Sequence, residues 1–133
     1  MHKGGMVQAL LVFLGGGLGA LARWTFGHVV SRQLGSDWPW ATFGVNIIGS
    51  FAMGVVMGFV LKNGMITPSA ENWRLFLATG ILGGFTTFSA FSFESAHMIE
   101  AGNWLHAGLY SLTSVGLSVG ALFAGIVLAR LNG

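Results

Sequence analysis

The chain has 133 residues, of which 8% are charged, whereas roughly 25% are charged in an average soluble domain. It has a mean hydropathy of +0.73, a net charge of +2 and no cysteine. This composition excludes disulfide and thiolate chemistry, and six dispersed basic residues do not form a nucleic-acid patch. Four charge-free stretches exceed the ~18 residues that indicate a membrane-spanning helix: Gly4–Ala22, Trp38–Leu61, Leu75–Phe93 and Ala101–Ala129. We therefore predict an all-α integral membrane protein with a single four-span domain, its spans at about residues 4–30, 41–62, 75–99 and 104–131.

The first span is rich in glycine between residues 15 and 19, which is typical of close packing between membrane helices. Its one formal charge, Arg23, is costly near the bilayer centre. Arg23 either extends to the interface or supplies positive potential to a polar vestibule. A loop is predicted over residues 31–40, where Trp38 and Trp40, together with Trp24, fit an interfacial aromatic belt.

The second span places Asn46 and Ser50 on one helical face, because they are four residues apart. A carboxamide within a membrane needs hydrogen-bond partners. Asn46 therefore either forms a hydrogen bond that joins two helices or acts as a donor that lines an ion pathway. A second loop is predicted over residues 62–74, with a helix start near Ser69.

The third span contains an unusual motif for a lipid-facing helix, GGFTTFSAFSFE at residues 83–94. The glycine and threonine pairs predict an interrupted helix, which is tolerated at membrane depth only where protein or water covers the freed backbone groups. Phe88 and Phe91 lie three apart and could present their positive ring edges to a small anion. An interruption also exposes carbonyl oxygens, which suit a cation.

The fourth span aligns Tyr110, Ser114 and Ser118 in a row with a spacing of four residues. The four histidines of the chain are scattered without the spacing of metal ligands, and no serine has a credible base. We therefore expect no enzymatic activity. The chemistry that remains is the binding of small ions by hydrogen-bond donors and carbonyl groups.

The basic residues give only a weak orientation signal. Lys3, Lys62, Arg74 and Arg130 fall on one side of the four spans, whereas Arg23 and Arg32 fall toward the other. Insertion in both orientations is therefore plausible. An antiparallel homodimer would then have its two-fold axis in the membrane plane.

Three stretches of the sequence resemble the signature segments of the small bacterial fluoride channels, the Fluc or CrcB family: GGGLGALAR at 15–23, ATFGVNIIGSF at 41–51, and the 83–94 motif. The resemblance covers the whole chain. It implies a dual-topology antiparallel homodimer in the bacterial inner membrane, with a broken third helix and two pores that conduct fluoride. It also implies a structural sodium ion at the dimer centre.

The same resemblance assigns roles to individual residues. It places Asn46, Phe88, Phe91, Tyr110, Ser114, Ser118, Arg23 and Glu94 in or beside the fluoride pathway, and it gives the carbonyl groups of Gly83 and Thr86 to sodium. Ala90 departs from the pattern, because many members carry a hydroxyl residue there. A carboxylate repels an anion, so Glu94 must be protonated, compensated or turned away. A gating or proton-sharing role for Glu94 is a hypothesis.

Two other functions fit a small four-span protein. A proton-coupled exporter of cationic drugs would need a carboxylate central in the first span, where this chain has glycines and Arg23. A membrane subunit that transports nothing would leave Asn46, the helix interruption and the hydroxyl row unexplained. Fluoride efflux from liposomes distinguishes all three functions.

Overall fold

The computed structural model describes residues 3–63 and 67–132, and all regular structure in these ranges is helical. The elements are α1 (Lys3–Leu34), α2 (Trp40–Asn63), α3 (Pro68–Arg74), a π-helical segment (Leu75–Leu82), α4 (Gly83–Phe85), α5 (Phe88–Glu100) and α6 (Trp104–Leu131). Four helical stretches are long and apolar enough to cross a membrane: Gly4–Leu34, Trp40–Val60, Pro68–Glu100 and Trp104–Leu131. The predicted all-helical fold with four long apolar helices is confirmed.

The first predicted loop is shorter than expected. Residues 31–34 continue α1, and the helix ends at Gly35, whose φ of +79° is readily adopted only by glycine. The second turn of this kind is Gly102, with a φ of +83°, between α5 and α6. These two glycines fix where the chain reverses direction.

The second predicted loop is partly helical. The Thr67 side chain accepts a hydrogen bond from the Ala70 backbone N–H at 3.1 Å, and Pro68 occupies the first turn, where its missing N–H costs nothing. Arg74 pairs with Glu71 at 2.8 Å, one turn apart. Polar residues of the predicted loop therefore cap and stabilise α3, which continues into the apolar third span.

Glycine contacts bring the helices together in two layers. α2 packs most extensively against α6, and α1 packs against the π-helical segment and α4. A β-carbon on Gly15 would lie 2.7 Å from the Phe76 carbonyl oxygen, and one on Gly54 would collide with the Leu122 carbonyl oxygen. Such backbone approach is the usual basis of helix association in membranes. The first part of the third span, from the π-helical segment to α4, therefore lies against α1, while α6 packs against α5.

Candidate ion-binding site

The centre of the third span contains two residues with extended backbone. Thr86 has φ −82° and ψ 158°, and Thr87 has φ −151° and ψ 114°, between α4 and α5. The Thr86 hydroxyl donates to the Leu82 carbonyl at 2.9 Å, and the Thr87 side chain caps α5 by accepting from the Ala90 N–H at 3.2 Å. The two threonine side chains thus satisfy local backbone groups on either side of the extended residues.

Asn46 on α2 holds Thr87 at two points. Its Nδ2 donates to the Thr87 carbonyl at 3.0 Å, and its Oδ1 accepts from the Thr87 N–H at 2.8 Å. In an uninterrupted α-helix that N–H would bond to the carbonyl of Gly83, four residues earlier. Asn46 therefore links α2 to the third span through two hydrogen bonds. The second hydrogen on its Nδ2 is still available as a donor to the adjacent cavity.

Arg23 on α1 binds the backbone two residues before the extended pair. Its Nε donates to the Gly84 carbonyl at 3.1 Å, where an uninterrupted helix would place the N–H of Phe88. Arg23 lines a cleft of about 660 Å³ together with His28 and Arg32. This cleft, the α1 cleft, does not include the predicted aromatic and serine residues, and Thr87 is a shared wall between it and the cavity described next.

Five of the eight predicted pathway residues line one cavity of about 280 Å³, which we call the central cavity: Asn46, Phe88, Phe91, Ser114 and Ser118. The Phe88 and Phe91 ring centroids are 5.6 Å apart, and Phe91 lies 5.2 Å from Tyr110. Phe88 is 76% exposed in the single chain, whereas Tyr110 is fully buried. The structure therefore brings the aromatic pair, the carboxamide and the serines together.

The hydroxyl row on α6 is buried without hydrogen bonds. Within residues 3–63 and 67–132, the Tyr110 hydroxyl, Ser114 Oγ and Ser118 Oγ are shielded from solvent and have no hydrogen-bond partner. Ser114 is only 5% exposed. Since a buried polar group without a partner costs roughly 1–3 kcal/mol, three in succession on one helix point to a ligand that passes along them.

Glu94 lies in a third cleft, away from the central cavity. The Thr42 hydroxyl donates to Glu94 Oε1, and both residues line this cleft with Trp38 and His97. We call it the mouth cleft. The eight residues of the predicted pathway therefore divide among the α1 cleft (Arg23), the central cavity and the mouth cleft (Glu94), with Tyr110 buried between α6 and its aromatic neighbours.

Two backbone carbonyls at the extended segment, those of Gly83 and Thr86, lack the N–H partners of an uninterrupted helix. The N–H groups that an uninterrupted helix would give to the Gly83 and Thr86 carbonyls are donated instead to Asn46 and to the Thr87 side chain. In the described part of the chain, no group of three His, Cys, Asp or Glu residues is placed to hold a metal ion. Freed carbonyl oxygens are suitable ligands for sodium.

A comparison with known proteins identifies the family. The family described as "CrcB-like protein, Camphor Resistance (CrcB)" matches residues 10–126. The chain belongs to the CrcB family. A relative from Phenylobacterium zucineum named "Fluoride-specific ion channel FluC" is 50% identical over 125 residues, covering 94% of this chain and 97% of the relative. Relatives with the same name from Hyphomonas neptunium (52% over 121 residues; 91% and 94% covered) and Caulobacter vibrioides (45% over 125; 94% and 97% covered) are similar.

Membership of the CrcB family and the four apolar helices together give the location. Each helix is long enough to cross the hydrocarbon region, and the relatives come from bacteria. The chain is a multi-pass protein of the bacterial inner membrane. The expected location is therefore confirmed.

Sequence patterns alone do not give a site role to three residues of these clefts: Thr42, Thr87 and Trp38. Thr42 lies four residues before Asn46, so its position on the same face of α2 was available from spacing. Thr87 belongs to the recognised threonine pair, but its bonds to Asn46 are tertiary. Trp38 was assigned to an aromatic belt, yet its indole nitrogen is shielded from solvent, whereas Trp24 is 66% exposed.

Proposed function

We propose that this CrcB-family protein is a fluoride-selective channel that lets fluoride leave the cell passively. The observation that carries the proposal is the buried row Tyr110, Ser114 and Ser118, whose hydroxyls have no partner among the described residues. The relatives named fluoride-specific ion channels supply the choice of ion. They are also named as channels, which favours transport over catalysis.

Fluoride is small and strongly hydrated, so a selective path must replace its water with closely spaced donors. The central cavity offers three serine hydroxyls, from Ser50, Ser114 and Ser118, and the remaining amide hydrogen of Asn46. The edges of Phe88 and Phe91 add weaker positive contacts. Among the described residues no acidic side chain lines this cavity, so an anion there meets donors without a facing carboxylate.

The flanking clefts complete the proposed path. Arg23 in the α1 cleft supplies positive potential beside the extended segment. Glu94 stands at the other end, and the hydrogen bond from Thr42 compensates one of its oxygens. A gating or proton-sharing role for Glu94 stays a hypothesis, which an unchanged pH dependence of efflux in Glu94→Gln would remove.

The direction of transport follows from the chemistry of the ion. Hydrogen fluoride crosses membranes as a neutral molecule at acidic pH and ionises inside the cell, where the anion is trapped. A passive path for the anion allows the negative interior to drive it out, since 100 mV is worth about 2.3 kcal/mol per charge. No coupling ion is needed. A channel of this kind therefore lowers internal fluoride without consuming energy.

We also propose that the third span is a broken membrane helix covered by a second, antiparallel copy of the chain. The extended residues lie about midway between Pro68 and Glu100, and the adjacent Gly83, Phe88 and Ser89 are exposed in the single chain. Irregular backbone at this depth must be covered by protein or water. An antiparallel partner would cover it and create two equivalent pores, one on each side of the two-fold axis.

The freed carbonyls support a structural sodium ion on that axis. Gly83 and Thr86 each lack the N–H that an uninterrupted helix would give them. Two such pairs from two copies would present four carbonyl oxygens. When bound, sodium would supply positive charge that neutralises these facing dipoles and would hold the interrupted helices together.

The function is tested by fluoride efflux from liposomes that contain the purified protein. We expect wild type to release fluoride rapidly with little chloride, and Phe88→Ile or Phe91→Ile to reduce efflux by about tenfold, because isoleucine has no positive ring edge. Leu112→Ile, on the exposed surface of α6, is the matched control. Absence of fluoride efflux by wild type would contradict the channel, and release of a cationic dye driven by a proton gradient would favour the exporter. Normal flux in both Phe variants would remove the ring-edge contacts.

The antiparallel dimer is tested by single-cysteine crosslinking, which is clean because the chain contains no cysteine. We expect Ser89→Cys, close to the extended segment, to crosslink between copies and Trp104→Cys, at the start of α6, to fail because the two copies place it on opposite membrane faces. Replacing sodium by a large organic cation should lower the thermal stability of the dimer. Efficient crosslinking of Trp104→Cys, or equal stability without sodium, would contradict the respective proposal.

A further inference from the structure

Trp38, in the connection between α1 and α2, has an indole N–H without a partner. Its Nε1 atom is shielded from solvent and forms no hydrogen bond within the described residues. The neighbouring Trp40 is 40% exposed and is not among the buried atoms that lack a partner. Trp38 therefore differs from an ordinary interfacial tryptophan, which keeps its N–H in contact with water or headgroups.

Trp38 is in direct contact with the end of the hydroxyl row. Its ring centroid lies 5.4 Å from that of Tyr110, with the two rings at 88°. Five buried side-chain polar atoms lack a partner in the described chain. Three belong to the row Tyr110, Ser114 and Ser118, one to Trp38, whose ring contacts Tyr110, and the fifth to Ser95. The donors on α6 thus continue beyond the helix into the connection that precedes α2.

These donors end where the electrostatics become unfavourable for an anion. Trp38 lines the mouth cleft with Asp37, Glu94 and His97. Two acidic side chains border this cleft, and the Thr42 hydroxyl is already bonded to Glu94. An anion that moves from Tyr110 toward the mouth therefore needs a further donor, and the Trp38 N–H is a buried donor that remains unused.

We infer that the Trp38 indole N–H is an additional fluoride-binding group at the mouth of the pathway. It would receive the ion as the ion passes beyond Tyr110, before water at the mouth cleft replaces the protein donors. This inference rests on the proposed fluoride channel and extends its path by one residue. Tryptophan suits the position because its N–H only donates, and the ring remains packed edge-on against Tyr110.

The test compares Trp38→Phe with Trp40→Phe in the full-length protein. Phenylalanine keeps an aromatic ring against Tyr110 but removes the N–H, so the loss of the donor is separated from the loss of packing. We expect Trp38→Phe to lower fluoride efflux from liposomes by about tenfold, as expected for one hydrogen bond to a charged group. Trp40→Phe should retain efflux within about twofold. Both variants should elute and melt like wild type.

A spectroscopic measurement separates ion contact from a structural role. In wild type, the indole N–H proton resonance of Trp38, assigned by its absence in Trp38→Phe, should shift when sodium fluoride replaces an equal concentration of sodium chloride. The Trp40 resonance should remain in place. The inference requires both the loss of efflux and the fluoride-dependent shift; unchanged efflux in Trp38→Phe, or a Trp38 resonance that does not respond, overturns it.

Failure of the channel function and failure of the Trp38 role give different results. If wild type itself releases no fluoride, the proposed channel function fails. If wild type conducts and Trp38→Phe conducts equally well, only the role of Trp38 fails. Trp38→Ala serves as a packing reference, because a loss of flux that appears in Trp38→Ala but not in Trp38→Phe assigns the residue to support of Tyr110 and overturns ion contact.

Discussion

Replacing Asn46 by leucine is expected to abolish fluoride efflux and to destabilise the protein. The substitution removes both hydrogen bonds to Thr87, leaving its N–H and its carbonyl without partners in a segment that water cannot easily reach. Each buried group without a partner costs roughly 1–3 kcal/mol, so we expect a loss of about 2 kcal/mol or more. Efflux should fall by at least about 100-fold, because the central cavity also loses its amide donor. The measurements are thermal unfolding in detergent and liposome efflux.

Ser50→Ala is the matched control for this substitution. Ser50 lies one turn further along α2 and lines the same cavity, but the Thr87 backbone is held by Asn46. We expect its unfolding temperature to match wild type and its efflux to fall by no more than about threefold. Equal behaviour of Asn46→Leu and Ser50→Ala would show that the two bonds to Thr87 hold neither the fold nor the path.

The helices were predictable because composition alone decides them. Charge-free runs of spanning length leave little choice of environment, and α6 begins and ends at the residues predicted for the fourth span. The capping residues of the short helix α3 were harder to predict from the sequence. The start of α3 depends on Thr67, Pro68 and the pairing of Glu71 with Arg74, which the polar composition made look like a loop. The π-helical segment had no clear sequence signal.

The candidate site was predictable where its residues share one helix. A spacing of four placed Tyr110, Ser114 and Ser118 in one row, and the structure keeps them buried without partners. The division of the pathway residues among three clefts was not predictable, since it depends on which side of the third span each helix packs. Arg23 on α1 binds the Gly84 carbonyl and Asn46 on α2 binds Thr87, so two different helices hold the interruption of the third span. The role of Trp38 was not predictable either, because a tryptophan near the membrane interface can point its indole N–H toward water or toward the protein, and the sequence does not say which.

Replacing Gly54 by alanine is expected to separate α2 from α6 and to cost both stability and transport. A β-carbon there would collide with the carbonyl oxygen of Leu122, a backbone atom that cannot rotate away. Alanine is better than glycine in a helix by about 1 kcal/mol, whereas overpacking a tight contact costs typically 1–3 kcal/mol and sometimes more. Because the contact is with a backbone atom, we expect the overpacking cost to exceed the gain in helix propensity. The free energy of unfolding should fall by about 1–2 kcal/mol. Thermal unfolding in detergent measures it.

The transport consequence of Gly54→Ala follows from the position of the central cavity, whose walls include Asn46 on α2 and Ser114 and Ser118 on α6. Moving these helices apart until the β-carbon clears the Leu122 carbonyl oxygen lengthens every contact to a bare ion, so efflux should fall further than stability alone explains. Gly108→Ala, where a β-carbon meets nothing within 4 Å, should be neutral or slightly stabilising and should conduct normally. If Gly54→Ala instead melts and conducts like Gly108→Ala, then the close approach of α2 to α6 does not set the width of the cavity, and selectivity would depend on the aromatic pair alone.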